Sequence, residues 1–435
     1  MSTPSTIPDL AALLADDFDF KFVGEGAANI IFEIIQSQEP DPLLHDKLLR
    51  VPKARAIALD YLHVQEYWES SVRPLFQDGD LVNQVLVHLG ACSAKQNLII
   101  SRMQAAVSSV EPTRRKDFRG STVGETEYAM LVDDMRAARS NIKGGGGFEI
   151  LLEFKPKWLT QSPDAPANAI RCRNCAKEWL RYHDKLQKKL QKPPKLQQSF
   201  TPDDKLQRRQ TQKALPLPVL CTIDLLNSSS CIKARERVLS RLTDPSPTSR
   251  STVALTNAIP EGSRQWRLLS RWLEGNSLLK RLELAQRAND DPEHLDRNGR
   301  GKRKRGGCLT ALVGQENPEL DLAMTLRDCT CFLRIPGPPG PPPLERAGAG
   351  GPAEEDDDDD DEQGEAAATE QDVEEESVEV EAKLGDLDKK NGAAKLATWQ
   401  ALERRLIDEG FYTKRRPRAE WTCALERTDE DEDED

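Results

Sequence analysis

The sequence predicts an α+β fold in two lobes, an N-lobe with a mixed sheet and helices and a larger α/β C-lobe, with a disordered acidic insertion. Three observations lead there. Short strand-like runs punctuated by turn residues dominate the first 157 residues, and helical spacing takes over from Asn168. Between Pro336 and Glu381 the chain then carries almost no large apolar side chains. At 435 residues it is long enough for two medium cores plus inserts. Its 37% hydrophobic and 31% charged content requires part of it to stay unstructured.

Asp19 to Val23 reads as a strand feeding a glycine-rich turn, Gly24-Glu25-Gly26-Ala27-Ala28-Asn29, and Asn29 to Ile35 as the strand leaving it. Lys47 to Val51 suits a third strand. Arg55 to Trp68 and Asp80 to Leu89 carry helical spacing, and Leu98 to Val107 and Glu127 to Leu131 are expected as further strands. Gly144 to Gly147 forms a flexible turn into the apolar strand Phe148 to Phe154. A charged amphipathic helix from Cys172 to Leu190 ends at Lys192-Pro193-Pro194-Lys195, and a polar loop runs on to Lys213.

Ser228 to Leu242 and Ser263 to Ala285 are further helices, Asn289 to Gly307 is a polar linker, and Leu320 to Ile335 alternates as strands around Asp328. The segment from Pro336 cannot bury enough surface to offset its ordering entropy. Structure resumes near Ala382, and Ala393 to Glu409 is a helix with Leu396, Trp399, Leu402 and Leu406 on one face. The expected boundaries are therefore 1–157 for the first lobe and 158–335 for the second, with a basic linker at 289–307. The insertion is 336–381, the rest of the second lobe 382–427 and an acidic tail 428–435.

The net charge of −12 hides a basic core. Glu354 to Glu381 holds 17 acids and no base, and Asp429 to Asp435 adds 7 acids; without these 24, 49 acids face 61 bases. The folded remainder is suited to a polyanion. Nine cysteines without a signal peptide are expected as reduced thiols in the nucleus or cytoplasm. No apolar run approaches the roughly 18 residues of a membrane span. Arg300-Gly301-Lys302-Arg303-Lys304-Arg305 fits a nuclear import signal or a solvated linker.

Four segments carry chemistry. The glycine-rich turn lets backbone N–H groups approach a nucleotide phosphate, although alone it is an ordinary hairpin turn. In Glu153-Phe154-Lys155-Pro156-Lys157 two lysines leave a strand at period two and form a phosphate clamp. In Arg327-Asp328-Cys329-Thr330 a carboxylate at a strand end can take a hydroxyl proton, or cap a turn. Gly385-Asp386-Leu387-Asp388-Lys389-Lys390 offers carboxylates for a hard metal. In chain order these meet the needs of phosphoryl transfer.

Their order and wording resemble the inositol-pentakisphosphate 2-kinase family, discontinuously from about Phe22 to Tyr412. Further landmarks are Val72-Arg73-Pro74-Leu75, Leu131 to Met135, Cys172-Arg173-Asn174-Cys175 and Ala323-Met324-Thr325. The resemblance implies a two-lobed kinase-like fold with ATP and Mg2+, transferring the γ-phosphate to the axial 2-hydroxyl of inositol pentakisphosphate to give the hexakisphosphate, phytate. It implies that Gly24, Gly26, Ala28, Asn29 and Arg50 bind ATP, with Asp133 and Met135 at the adenine hinge. Asp328 would act as base or hydroxyl orienter and Lys155 would meet the transferring phosphate. Lys157, Arg181, Asn227 and Lys390 would bind substrate, and Asp386, with Asp388 second, would hold magnesium. Arg181 stands where the family has a lysine; Ala394 and Thr398 stand where it has arginine and tyrosine, with Lys395 and Trp399 one step away.

The Cys172-x-x-Cys175 pair has zinc-ligand spacing, but a site needs two more ligands. His183 is the only histidine near it and no second Cys-x-x-Cys occurs; the His/Cys pattern of the plant members' inserted segment is not visible. The segment is read as a helix start. The expected partners are ATP and inositol pentakisphosphate, with the chain a monomer that touches neither membrane nor nucleic acid. The rival reading is a nuclear acidic scaffold or histone-binding protein with an inactive kinase-like core.

Overall fold

The computed structural model describes residues 7–55, 60–90, 94–136, 150–191, 220–244, 253–289, 318–337, 379–390, 392–415 and 423–426. The four-glycine turn, the polar loop after Gln191, the basic run and the acidic tail lie outside the described residues, as do all but the ends of the linker and the insertion. The chain divides into two compact units. Unit 1 comprises Met1–Met135, Arg281–Thr330 and Lys383–Arg404, and unit 2 comprises Arg136–Lys280, Cys331–Ala382 and Arg405–Asp435.

Unit 1 opens with α1 (Leu10–Leu13) and builds a five-stranded antiparallel sheet from β1 (Asp19–Glu25), β2 (Asn29–Ile35), β3 (Lys47–Pro52), β4 (Gln84–His88) and β5 (Tyr128–Asp133), in the order β1-β2-β3-β5-β4. Its buried face centres on Phe18, Phe20 and Phe32, stacked edge to face, with Ile30, Leu49 and Leu131 around them. The β1–β2 register slips between Phe22 and Gly24, leaving Val23 as an extra residue just before the glycine-rich turn. Such a bulge sharpens local twist and re-aims the chain that follows. Helix α2 (Tyr61–Tyr67) starts at Asp60, whose carboxylate accepts the Leu62 N–H, and runs into a single π turn, Trp68–Val72.

Three expectations in this unit fail for identifiable reasons. Leu98 to Val107 belongs to α3 (Ala94–Ser109), not to a strand: Ile99, Met103 and Val107 are buried four residues apart, the spacing of a helical stripe. Asp80 to Leu89 holds β4 rather than a helix, because Val85 and Val87 are β-branched alternate residues paired with Leu131 and Ala129 of β5. The run before Asp328 is also helical, as described below.

In unit 2, β6 (Ile150–Phe154) leads to α4 (Arg173–Leu190), α5 (Thr222–Asn227), α6 (Ile232–Leu242), β7 (Val253–Leu255) and α7 (Arg264–Gly275). The expected single helix from Ser263 breaks at Asn276, which takes a left-handed conformation (φ 42°) and ends α7. Asparagine tolerates that region, so a Gly-Asn pair is a natural stop. Helix α8 (Ser277–Ala288) carries the chain from unit 2 into unit 1. Then α9 (Pro318–Leu326) replaces the expected first strand: proline opens its first turn and Glu319 and Asp321 follow, a helix-start signature. Only β8 (Thr330–Ile335) is extended there. A second sheet has the order β7-β6-β8-β9, with β9 at Glu381–Gly385, and α10 (Gly392–Asp408) follows. Among the described residues no helix is long and apolar enough to cross a membrane.

Candidate active site

Unit 1 gathers most of the predicted residues around the loop after β9. Leu384 of β9 exchanges backbone bonds with Asp80 and Val82 (2.8 and 2.9 Å), which fixes where Gly385 to Lys390 begins. Asp386 adopts φ +56°, and its Oδ2 accepts a 2.6 Å bond from the Thr330 hydroxyl. Asp388 receives Arg50 in a two-pronged ion pair, Nη1 to Oδ1 at 2.9 Å and Nη2 to Oδ2. Lys390 Nζ lies 3.0 Å from Asp328 Oδ2. Thr325 threads the loop: its hydroxyl accepts the Lys390 N–H (3.2 Å) and reaches the carbonyls of Asp321 (2.8 Å) and Asp388 (3.2 Å). The two aspartates proposed for proton and metal thus stand on one hydrogen-bonded framework.

The glycine-rich turn is closed by a Gly26 N–H bond to the Asn29 carbonyl, 2.9 Å. Its base is fixed by buried charges, since Glu25 accepts both Arg114 Nε (2.8 Å) and Nη2 (2.6 Å) and pairs with Lys53 at 2.6 Å. A β-carbon built on Gly24 or Gly26 would meet nothing within 4 Å. Those positions are open on their outer side. With the Asn29 amide turned to satisfy its neighbours, its oxygen accepts Arg50 Nη2 (2.5 Å) and Nε (3.1 Å) and its nitrogen donates to the Tyr61 hydroxyl (3.0 Å). Arg50 therefore joins the turn to Asp388. Burial raises the Asp388 carboxyl, but the Arg50 guanidinium outweighs it and holds the group below the usual carboxylate range.

Both Asp388 oxygens are engaged by Arg50, whereas Asp386 is oriented by a neutral hydroxyl. Carboxylate oxygens suit a hard divalent cation such as magnesium, so the carboxylates of this loop are of a donor type that fits such an ion. At the end of β5, Asp133 pairs with Lys47, lies 3.4 Å from Lys383 Nζ and accepts the Asn83 N–H at 3.0 Å. Its carboxylate is a structural tie, and its own N–H goes to the Asn83 carbonyl. Met135 is buried.

The predicted phosphate-binding lysines lie in unit 2. Strand β6 ends at Phe154 and Lys157 takes φ +55°, so strand alternation does not set the side on which the two lysines stand. Lys157 instead joins a basic group that includes Arg173, Lys177 and Arg181 of α4. Arg173 is buried with its guanidinium 4.1 Å from the centre of the Trp158 ring, and Arg181 pairs with Glu178 one turn earlier. Asn227 ends α5 on the surface; its carbonyl accepts the N–H groups of Ser230 and Cys231. Lys177 is a residue the sequence reading missed. Burial, then Arg181, Arg173 and Lys157, depress its ammonium to about 8. Its signal was present, since Arg173, Lys177 and Arg181 recur at spacing four, one helical face.

A family model described as inositol-pentakisphosphate 2-kinase matches residues 22–405, which include the glycine-rich turn, Arg50, Asp328 and the loop from Gly385 to Lys390. The chain belongs to that family. It is accordingly an inositol-pentakisphosphate 2-kinase enzyme, a phosphotransferase acting on inositol phosphate. No curated protein matches the chain. The matched range of this kinase includes the aspartate framework of unit 1 and the lysine group of unit 2.

Proposed function

We propose that this kinase uses ATP to phosphorylate the 2-hydroxyl of inositol 1,3,4,5,6-pentakisphosphate, giving inositol hexakisphosphate. The observation that carries the reading is the framework joining Asp328 and Lys390 to Asp386 and, through Asp388, to Arg50 and the glycine-rich turn. The two units are read as the two lobes of a kinase-like fold.

In unit 1 the turn from Gly24 to Asn29 and Arg50 bind the nucleotide phosphates, while the backbone at Asp133 and Met135 meets adenine. Asp386 would hold magnesium, which when bound would neutralise charge on those phosphates. Asp328 takes or orients the hydroxyl proton, and Lys390 keeps its carboxylate in place and offers charge to a substrate phosphate. In unit 2 Lys155 meets the transferring phosphate, and Lys157, Lys177 and Arg181 bind the other phosphates, with Asn227 a further contact. Positioning and electrostatics supply most of the rate. The reading includes action as a monomer in the nucleus or cytoplasm.

The test is a panel of inositol pentakisphosphate isomers offered as acceptors. Only the isomer with a free 2-hydroxyl should consume ATP; equal turnover of an isomer already phosphorylated there would refute the assignment. The depressed Lys177 adds a pH signature. Its positive charge is present below about pH 8 and is lost as the pH rises through that value. KM for the polyanion should therefore rise on the alkaline side. Lys177→Met should flatten that rise and increase KM at neutral pH about tenfold, the loss of one charge-assisted phosphate contact.

A further inference from the structure

Four buried cysteines converge in unit 2. Cys172 caps the N-terminus of α4, Cys175 sits in its first turn, Cys221 precedes α5 and Cys423 comes from the C-terminal segment. All four are at most 3% exposed. Their sulfurs all lie within 4.8 Å of one another. Cys221 and Cys423 Sγ are 3.8 Å apart, and Cys172 and Cys175 Sγ 3.2 Å.

Those spacings select among the possible states. A disulfide needs sulfurs about 2.05 Å apart, and all four cysteines are free. Four thiolates at about 2.3 Å from a central zinc ion stand about 3.8 Å from one another, the edge of the tetrahedron. The Cys221–Cys423 separation equals that edge and the Cys172–Cys175 separation is shorter. Packing four thiols as ordinary core would give no reason for their sulfurs to meet at one point from three separate stretches of chain. The Cys172 N–H also donates to Cys423 Sγ at 3.2 Å, a backbone bond of the kind that orients and stabilises a thiolate ligand. Softness points the same way, since sulfur donors without a carboxylate favour zinc over magnesium or calcium.

We propose that Cys172, Cys175, Cys221 and Cys423 form a closed structural Zn2+ site, with four thiolates binding one ion and releasing their thiol protons to solvent. The site is distinct from the magnesium position at Asp386. It ties residue 423 to the start of α4, a connection across 251 residues of sequence. Next to it Arg171, fully buried, holds the same C-terminal segment: it donates to Glu426 Oε1 (2.7 Å) and to the carbonyls of Phe411 and Lys414 (2.9 and 2.5 Å). The helix fastened by the ion is the one that carries Arg173, Lys177 and Arg181. Zinc would therefore set the position of the substrate-binding basic face without touching the reacting atoms.

The test is metal analysis of the full chain purified without added chelator. About one zinc per chain is expected. Cys423→Ser should lower zinc at least tenfold, while Cys231→Ser, a cysteine outside the cluster, should leave it unchanged. Should Cys423→Ser fail to fold, the intact chain produced with cobalt decides: it should show the intense visible bands and sulfur-to-metal charge transfer of tetrahedral cobalt thiolate. Chain that stays metal-free in zinc-supplemented medium, whether its four thiols titrate as free or its mass is lower by two or four hydrogens, would overturn the proposal. So would zinc that survives Cys423→Ser. None of these readouts depends on kinase activity.

Discussion

Replacing Asp386 by asparagine is expected to lower kcat about a thousandfold, the scale of losing one preorganised charge-stabilising group in a phosphoryl-transfer site. The choice of asparagine matters. Asp386 has φ +56°, a region that asparagine tolerates and that costs alanine roughly 1–2 kcal/mol. The asparagine carbonyl can still accept the Thr330 hydroxyl bond, so the loop should keep its place. Thermal unfolding of Asp386→Asn should therefore match the parent while turnover collapses. Raised magnesium should recover part of the rate, because the lost carboxylate weakens the ion's binding and leaves the rest of the framework intact. Unchanged turnover in the folded variant would remove Asp386 from the metal site.

Arg50→Met is expected to damage both stability and activity. Removing one partner of a buried ion pair strands the other, a loss of about 3–5 kcal/mol when the pair is well desolvated. The Arg50 side chain is 11% exposed and that of Asp388 27%, so about 3 kcal/mol is the appropriate figure. The double variant Arg50→Met/Asp388→Asn should regain much of the stability, since no unpaired carboxylate remains, but none of the activity. Calorimetry and turnover on the three proteins separate the two roles. The same pair gives unit 1 an acid limit. Asp388 titrates below its unfolded value, so its contribution is complete above about pH 4 and disappears as the pH falls through the folded value.

Much of this was legible in the sequence where local signals agree with the tertiary outcome. The strands around the glycine-rich turn combine alternation with turn residues, and β2 spans the expected Asn29–Ile35. The spacing of Asp386 and Asp388 placed both on one loop. What could not be read was which carboxylate would be taken: only the fold reveals that Arg50, 338 positions away, occupies Asp388. Helix α3 was missed because a dense apolar run looks alike in a strand and a helix until burial reveals its period. Pro318 and the acids after it signalled α9, and alternation obscured them. The cysteine cluster was least legible. A search for a second Cys-x-x-Cys overlooks ligands supplied singly by Cys221 and Cys423.

The most direct measurement incubates the purified chain with ATP, magnesium and inositol 1,3,4,5,6-pentakisphosphate, alongside Asp328→Ala, and separates the products by anion-exchange chromatography. The account predicts inositol hexakisphosphate from the intact chain and none from the folded variant. No product from an intact chain that is folded and binds ATP would contradict it, and so would equal product from both.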